Sequence, residues 1–255
     1  MAFGPLGPFA FDHELAMRLS YPRLGNIIAI SEYLEDHFQS LGCRTIRVPP
    51  LVDTEDLLPG VMDCKDDVLR LVYAGSPGQK DLLETIIRAV CSVDPRGERL
   101  RLTVAGPSVN TVKSMLQSYG VHEGPINAVG KVSRAEALAH VRSADFSMLL
   151  RMSERYAVAG FASKVPESLA LGTPIIANVT PELSKYVRDK DTGIIVSEPS
   201  VEAVACALQR CLALPRSAIN DMSTGARLEA ERSFDYRRYS AALTRWVEVL
   251  CNVGG

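Results

Sequence analysis

The chain has 255 residues, 47% of them hydrophobic and 23% charged, with 28 basic side chains against 30 acidic ones and a net charge of −2. This length and apolar content suit one large or two small globular domains and exclude disorder over most of the chain. The near-neutral balance supplies no global positive field for nucleic acid or an anionic membrane, and no apolar run reaches the ~18 residues of a membrane span.

Residues 1–11 are apolar, but they lack a basic leader and are broken by glycine and proline, so they do not read as a signal peptide. Short apolar or β-branched runs follow at 26–30, 45–48, 70–74, 100–105, 126–129, 146–150, 174–177 and 193–196. Between them lie helix-length segments at 31–41, 80–93, 108–119, 133–142, 164–171 and 181–187, and three more helical runs come after at 200–213, 216–232 and 235–250. Several strand runs are apolar almost throughout, as strands covered on both faces should be. Strand and helix in alternation predict an α/β fold with a doubly wound, Rossmann-like parallel sheet. Pro49-Pro50, Pro59-Gly60 and the acidic 63–67 stretch mark a boundary. Residues 61–232 then form a nearly complete doubly wound domain. Residues 1–60 are too short for a Rossmann-type unit and read as the tail of an amino-terminal domain plus a link. Residues 233–255 read as a terminal helix that packs back on that tail.

The six cysteines, at 43, 64, 91, 206, 211 and 251, form no Cys-x-x-Cys pair and match no zinc module. Cys91, Cys206 and Cys211 sit in apolar helical stretches and are expected to be buried, reduced thiols. The four histidines show no ligand spacing, so no metal site is expected.

Two loops can carry chemistry. In Tyr73-Ala-Gly-Ser-Pro-Gly-Gln-Lys-Asp-Leu-Leu83 a strand ends, a glycine-containing loop follows and a helix is expected to start near Lys80. Such a loop is either a phosphate cradle, with Gly75, Ser76 and Lys80 at a helix start, or an ordinary turn. It matches neither dinucleotide-binding nor Walker spacing. In the second loop, residues 160–177, Ser163 is the expected cap of a short helix, with Pro166 in its first turn and Gly172 at its end. Backbone amides of Phe161, Ala162, Ser163 and Lys164 could face an anion there. Glu167 in the first turn is either a partner of the helix dipole or an acceptor for two vicinal hydroxyls of a ribose. Arg151 stands at the end of a predicted strand, where a solvated charge is ordinary.

Over residues 22–250 these motifs, in this order, resemble the carboxy-terminal half of the group 1 glycosyltransferases, the retaining, family-4 type with the GT-B fold. Asn26-Ile-Ile-Ala-Ile-Ser-Glu-Tyr-Leu34 resembles the last strand and helix of the family's amino-terminal domain. Val48-Pro-Pro-Leu-Val-Asp-Thr-Glu-Asp56 resembles its interdomain link. The loop at 73–81 resembles the first loop of the donor domain. Val104-Ala-Gly106, Val129-Gly-Lys-Val-Ser133, Ser163-Lys-Val-Pro-Glu-Ser-Leu-Ala-Leu-Gly-Thr-Pro174 and Thr192-Gly-Ile-Ile-Val196 complete the set.

The resemblance implies roles residue by residue. Lys80, with Arg151 as a second cation, would neutralise the donor diphosphate. The backbone of Gly130, Lys131 and Val132 would hold the base, Phe161 to Lys164 would approach the phosphates and sugar, and Glu167 would hold the ribose. Two positions depart from the family: Ala159 stands where its motif has a first glutamate, and Ser76 stands near where many members have an arginine. Most of an amino-terminal acceptor domain is absent.

The implied activity is hexosyl-type transfer from a nucleotide-diphosphate sugar to an acceptor hydroxyl with retention. The nucleotide sugar is a co-substrate, and no resident cofactor or metal is expected. The acceptor is a glycan, a lipid or a small molecule, and the expected location is cytoplasmic or peripheral at a membrane. The chain is then a split subunit, a natural short form or a fragment, and for a subunit a second copy or a partner chain would supply the missing half. The alternative is a non-catalytic, nucleotide-sugar-binding partner of another glycosyltransferase.

Overall fold

The computed structural model describes residues 15–60, 67–76, 82–121, 124–152 and 159–252. Among the described residues there are two parallel sheets. The smaller pairs β1 (Asn26–Ala29) with β2 (Arg44–Arg47) through the crossover helix α1 (Glu32–Ser40). Short helical turns at Ala16–Ser20 and Tyr21–Leu24 precede β1.

The larger sheet holds β3 (Leu69–Ala74), β4 (Leu100–Ala105), β5 (Ile126–Gly130), β6 (Phe146–Leu149), β7 (Ile175–Asn178) and β8 (Gly193–Val196). Their order is β5-β4-β3-β6-β7-β8, and every pair is parallel. The connecting helices are α2 (Leu83–Val93), α3 (Val109–Ser118), α4 (Arg134–Arg142) and α5 (Lys164–Ala170); α6 (Val201–Leu212), α7 (Arg216–Ser233) and α8 (Arg237–Asn252) close the chain. The chain is therefore a doubly wound α/β protein, as the alternation of runs requires.

Strand alternation divides the core. Leu69, Leu71 and Tyr73 of β3, with Leu100, Leu102 and Val104 of β4, join Ile86, Ile87, Val204 and Leu208 of α2 and α6 on one face. On the other face Leu149, Ile175 and Ala177 pack against Val165 and Leu169 of α5 and Ala226 and Ala230 of α7. Phe234 closes that cluster, with Phe161 and Tyr186 at ring-centroid distances of 5.7 and 4.7 Å. The link at 52–57 is held to this body by Arg227. Its guanidinium donates to the carbonyls of Thr54, Leu57 and Ala170, and Val52 bridges to Asp235.

Three expectations need correction. Residues 181–187 do not form a helix; only a single 3-10 turn, Leu183–Lys185, stands there. The buried Thr180 hydroxyl accepts from Leu183 N–H, and Val187 is drawn into the apolar core. That core and turn geometry outweigh helix propensity. The helix after β3 starts at Leu83, not near Lys80, because Leu82 N–H donates to the Leu150 carbonyl and Leu82 keeps a non-helical backbone. Cys206 is exposed, since it shares the outer stripe of α6 with Glu202 and Gln209. Cys91 and Cys211 are buried, and burial pushes the Cys211 thiol up to about 12. Among the described residues, no helix is long and apolar enough to cross a membrane.

Candidate functional site

The strand order reverses between β3 and β6, and open parallel sheets take ligands in the crevice beyond the carboxyl ends at such a point. A cavity of about 250 Å³ lies there. Its walls include Ala74 and Gly75 at the end of β3, Ser147 of β6, Arg134 of α4, and Lys164 and Glu167 of α5.

Glycines make the approach of these elements possible. A Cβ on Gly75 would stand 2.0 Å from the Lys164 ammonium nitrogen. Without it, the lysine reaches the strand end and lies 5.1 Å from the centroid of the Tyr73 ring. Gly106, just after β4, has φ +121°, and a Cβ there would lie 2.1 Å from the Gly75 carbonyl oxygen. The Gly106 N–H donates to the Gly130 carbonyl at 2.8 Å, so the ends of β3, β4 and β5 form one bare backbone ledge.

Short polar contacts aim Glu167. Ser168 donates to the Thr173 carbonyl at 2.8 Å, and the buried Thr173 hydroxyl donates to the Val141 carbonyl of α4 at 2.9 Å. These bonds lock α5 against α4. At the start of α4, Ser133 and Glu136 form a reciprocal capping box: the Ser133 hydroxyl accepts from Glu136 N–H, and the Glu136 carboxylate accepts from Ser133 N–H. Arg134 is thereby the first residue of the helix. Its Nε and Nη2 donate to Glu167 Oε1 at 3.1 and 2.7 Å. The arginine side chain is 71% exposed, which makes this a weak rim pair. Ser133→Ala is expected to cost about 0.5–2 kcal/mol of stability. An unchanged urea midpoint would mean that the cap does not hold the start of α4.

The structure brings together only some of the expected site residues. Gly75, Ser163, Lys164 and Glu167 line one cavity. Ser76 is exposed beside it. Gly130, Lys131 and Val132 lie at the end of β5 and outside this cavity, with Lys131 exposed. Phe161 and Ala162 are buried, and Phe161 stacks edge-on against Tyr186 and Phe234, so only their backbone can meet a ligand. Ser163 has a helical backbone and makes no capping bond, contrary to the expected cap, while Val165 N–H goes to the Ala162 carbonyl. Arg151 lies at the end of β6 and does not line the cavity. Asn178 fixes its backbone, accepting from Arg151 N–H and donating to its carbonyl, both at 2.8 Å. Lys80 lies outside the described residues.

Three features were missed in the sequence. Arg134 was legible in principle, because the Ser-x-x-Glu capping box sets where α4 begins at the sheet edge. Ser31 was not. It caps α1 by accepting from Leu34 N–H, and donates its hydroxyl to the Ala159 carbonyl at 2.7 Å, tying the small sheet to the departed glutamate position. The third is an Asp-x-Asp tripeptide, Asp189-Lys190-Asp191, which lies before the start of β8 and away from this cavity. Asp189 pairs with Arg210 at 2.5 Å and Asp191 with Arg188 at 2.6 Å, so both carboxylates serve the turn.

Known proteins agree with this architecture. The chain is 25% identical over 234 residues to the phosphatidyl-myo-inositol mannosyltransferase of Mycobacterium leprae, covering 92% of this chain and 49% of that protein. It is 28% identical over 115 residues to the alpha-monoglucosyldiacylglycerol synthase of Streptococcus pneumoniae, covering 44% of this chain and 25% of that one. The chain thus spans at most about half the length of these relatives. Among solved structures, the sucrose-phosphate synthase of Thermosynechococcus elongatus superposes with a TM-score of 0.74 at 19% identity, over 89% of this chain and 59% of that one. The Anabaena HepE protein in complex with UDP and glucose does so with 0.73 at 12% identity, over 97% and 70%. These two likenesses establish the GT-B glycosyltransferase fold. Residues 64–228, well over half of the chain, match the glycosyl transferases group 1 family, and the chain belongs to that family.

Proposed function

We propose that this chain is the donor-binding half of a glycosyltransferase that moves a hexosyl group from a nucleotide-diphosphate sugar to an acceptor hydroxyl with retention. The observation that carries the reading is the Glu167 carboxylate, aimed by α5 into a cavity at the sheet's switch point, with Lys164 and the bare Gly75 backbone beside it. A carboxylate suits two vicinal ribose hydroxyls, and the ammonium and glycine ledge suit a diphosphate. HepE, a fold relative, holds UDP and glucose, which is consistent with such a donor. In the reaction the acceptor oxygen bonds to the anomeric carbon as the bond to the diphosphate oxygen breaks, and the hydroxyl proton passes to the departing diphosphate. Lys164, with Lys80 and Arg151 as further cations, would offset the charge left on the diphosphate, and no resident cofactor takes part.

In this reading residues 61–232 are the donor domain. Residues 1–60 belong to the acceptor side together with the terminal helix at 233–255. An amino-terminal half, on the same polypeptide, a second copy or a separate chain, would complete the cleft at a cytoplasmic or membrane-peripheral site. Ala159 in the family's glutamate position favours a second reading, a nucleotide-sugar-binding partner without catalysis of its own.

Calorimetry with UDP, GDP and ADP and their sugars tests the donor site. Saturable heat with one base is expected. No heat with any of them at millimolar concentration would end the donor reading. Sugar transfer when the chain is supplied with an amino-terminal half separates enzyme from partner.

A further inference from the structure

Buried hydroxyl groups find hydrogen-bond partners in folded proteins. In this chain Ser31, Ser168, Thr173 and Thr192 donate to carbonyls, Thr54 donates to Asp235, and Thr180 accepts from an N–H. Ser147 of β6 is the exception. It is only 8% exposed, yet its Oγ forms no hydrogen bond with any described residue. Its N–H donates to the Pro174 carbonyl at 2.9 Å. The hydroxyl is not sealed off, because Ser147 lines the cavity that also holds Lys164 and Glu167.

Packing alone does not call for a hydroxyl there. Phe146, Met148 and Leu149 on the same strand are apolar and buried. Phe146 and Met148 point to the core with α2 and α6, and Leu149 points to the core with α5 and α7. By alternation Ser147 shares the face of Leu149 and looks into the gap between α4 and α5. A valine there would extend the apolar face and fill the space that Ala74, Gly75 and Ala137 leave open.

Depth brings Ser147 level with Glu167. Ser147 is the register partner of Val72, two residues before Ala74, so it lies about 7 Å below the strand ends. Helix α5 runs back along the sheet from Lys164, and Glu167 is three residues in, about 5 Å below the helix start. The hydroxyl on the sheet and the carboxylate on α5 therefore enter one cavity at a similar level.

We propose, on the basis of the donor reading above, that Ser147 is a second ribose-binding group, which takes one hydroxyl of the nucleotide's ribose beside Glu167. A serine hydroxyl both accepts and donates. Arg134 draws on Glu167 Oε1, and Ser147 Oγ gives the diol a separate acceptor. A deoxyribose would leave the serine unmet, so this residue makes the site select ribonucleotides.

Calorimetry on the wild-type chain, Ser147→Ala and Ser147→Val tests this, with UDP, GDP and ADP and with the 2′-deoxy and 3′-deoxy forms of whichever binds. Ser147→Ala should weaken binding of the ribonucleotide about three- to tenfold, the worth of a neutral hydrogen bond. That loss should vanish with the deoxy form that lacks the hydroxyl Ser147 receives. Ser147→Val, which fills the cavity floor, should weaken every form. The urea midpoint of Ser147→Ala should stay level or rise, because no hydrogen bond to a described residue is lost. Unchanged affinity in Ser147→Ala, or the same loss with the ribose and both deoxyribose forms, would overturn the assignment. If none of the three nucleotides binds the wild-type chain, the donor reading falls and Ser147 loses its ligand with it. If one binds and Ser147→Ala binds it equally, only the role of Ser147 falls.

Discussion

Gly106→Ala is expected to destabilise the protein by about 2–6 kcal/mol, from about 1–3 kcal/mol of backbone strain and a similar amount of overpacking. The new Cβ would meet the Gly75 carbonyl oxygen at 2.1 Å and its carbon at 2.6 Å. Both are backbone atoms of a strand end and cannot rotate away as a side chain would. The φ of +121° adds a conformation that alanine rarely adopts. Relief requires Gly75 to move, and Gly75 is where Lys164 reaches the cavity, so nucleotide binding should fall along with stability. Gly120→Ala is the control. Gly120 also has a positive φ, of 70°, but nothing lies within 4 Å of its would-be Cβ. It should cost only about 1–2 kcal/mol, the left-handed penalty alone. Equal shifts of the urea midpoint in the two variants would show that the strand ends do not collide.

Glu167→Gln should weaken nucleotide binding by about 1–3 kcal/mol, or about 5- to 150-fold, if the carboxylate receives the ribose hydroxyls. If Glu167 serves only the helix dipole, the change should cost about 0.3–1 kcal/mol of stability and leave affinity alone. Arg134 adds a test of opposite sign. Its guanidinium occupies Glu167 Oε1, the atom a diol would share. Arg134→Ala should therefore tighten binding slightly, by about 0.2–1 kcal/mol, the worth of an exposed pair. Calorimetry on both variants decides the point. An unchanged dissociation constant in Glu167→Gln would remove it from the donor site.

Much of this architecture is written in local pattern. β4 at Leu100–Ala105 and β8 at Gly193–Val196 can be read to the residue, because a β-branched or apolar run ends at a glycine or a polar turn on each side. Alternation of such runs with helical ones requires parallel strands, and parallel strands require crossovers, so the doubly wound class follows from sequence order alone. Glu167 and Lys164 were also legible, since Pro166 and Gly172 bracket a short helix whose first turn must stand at a strand end.

What the sequence could not decide was long-range. Phe161 looks like a loop residue, but Phe234, 73 positions later, draws it into an aromatic cluster. Residues 181–187 have helical composition, yet Val187 is buried and the segment folds as a turn. The Arg134–Glu167 pair, the Ser31–Ala159 bond and the Arg70–Arg101 register each join residues 31 to 128 positions apart. Local propensity fixes periodicity within a segment. Which side chain meets which across segments depends on sheet order and helix docking, and those are set by burial of the whole core.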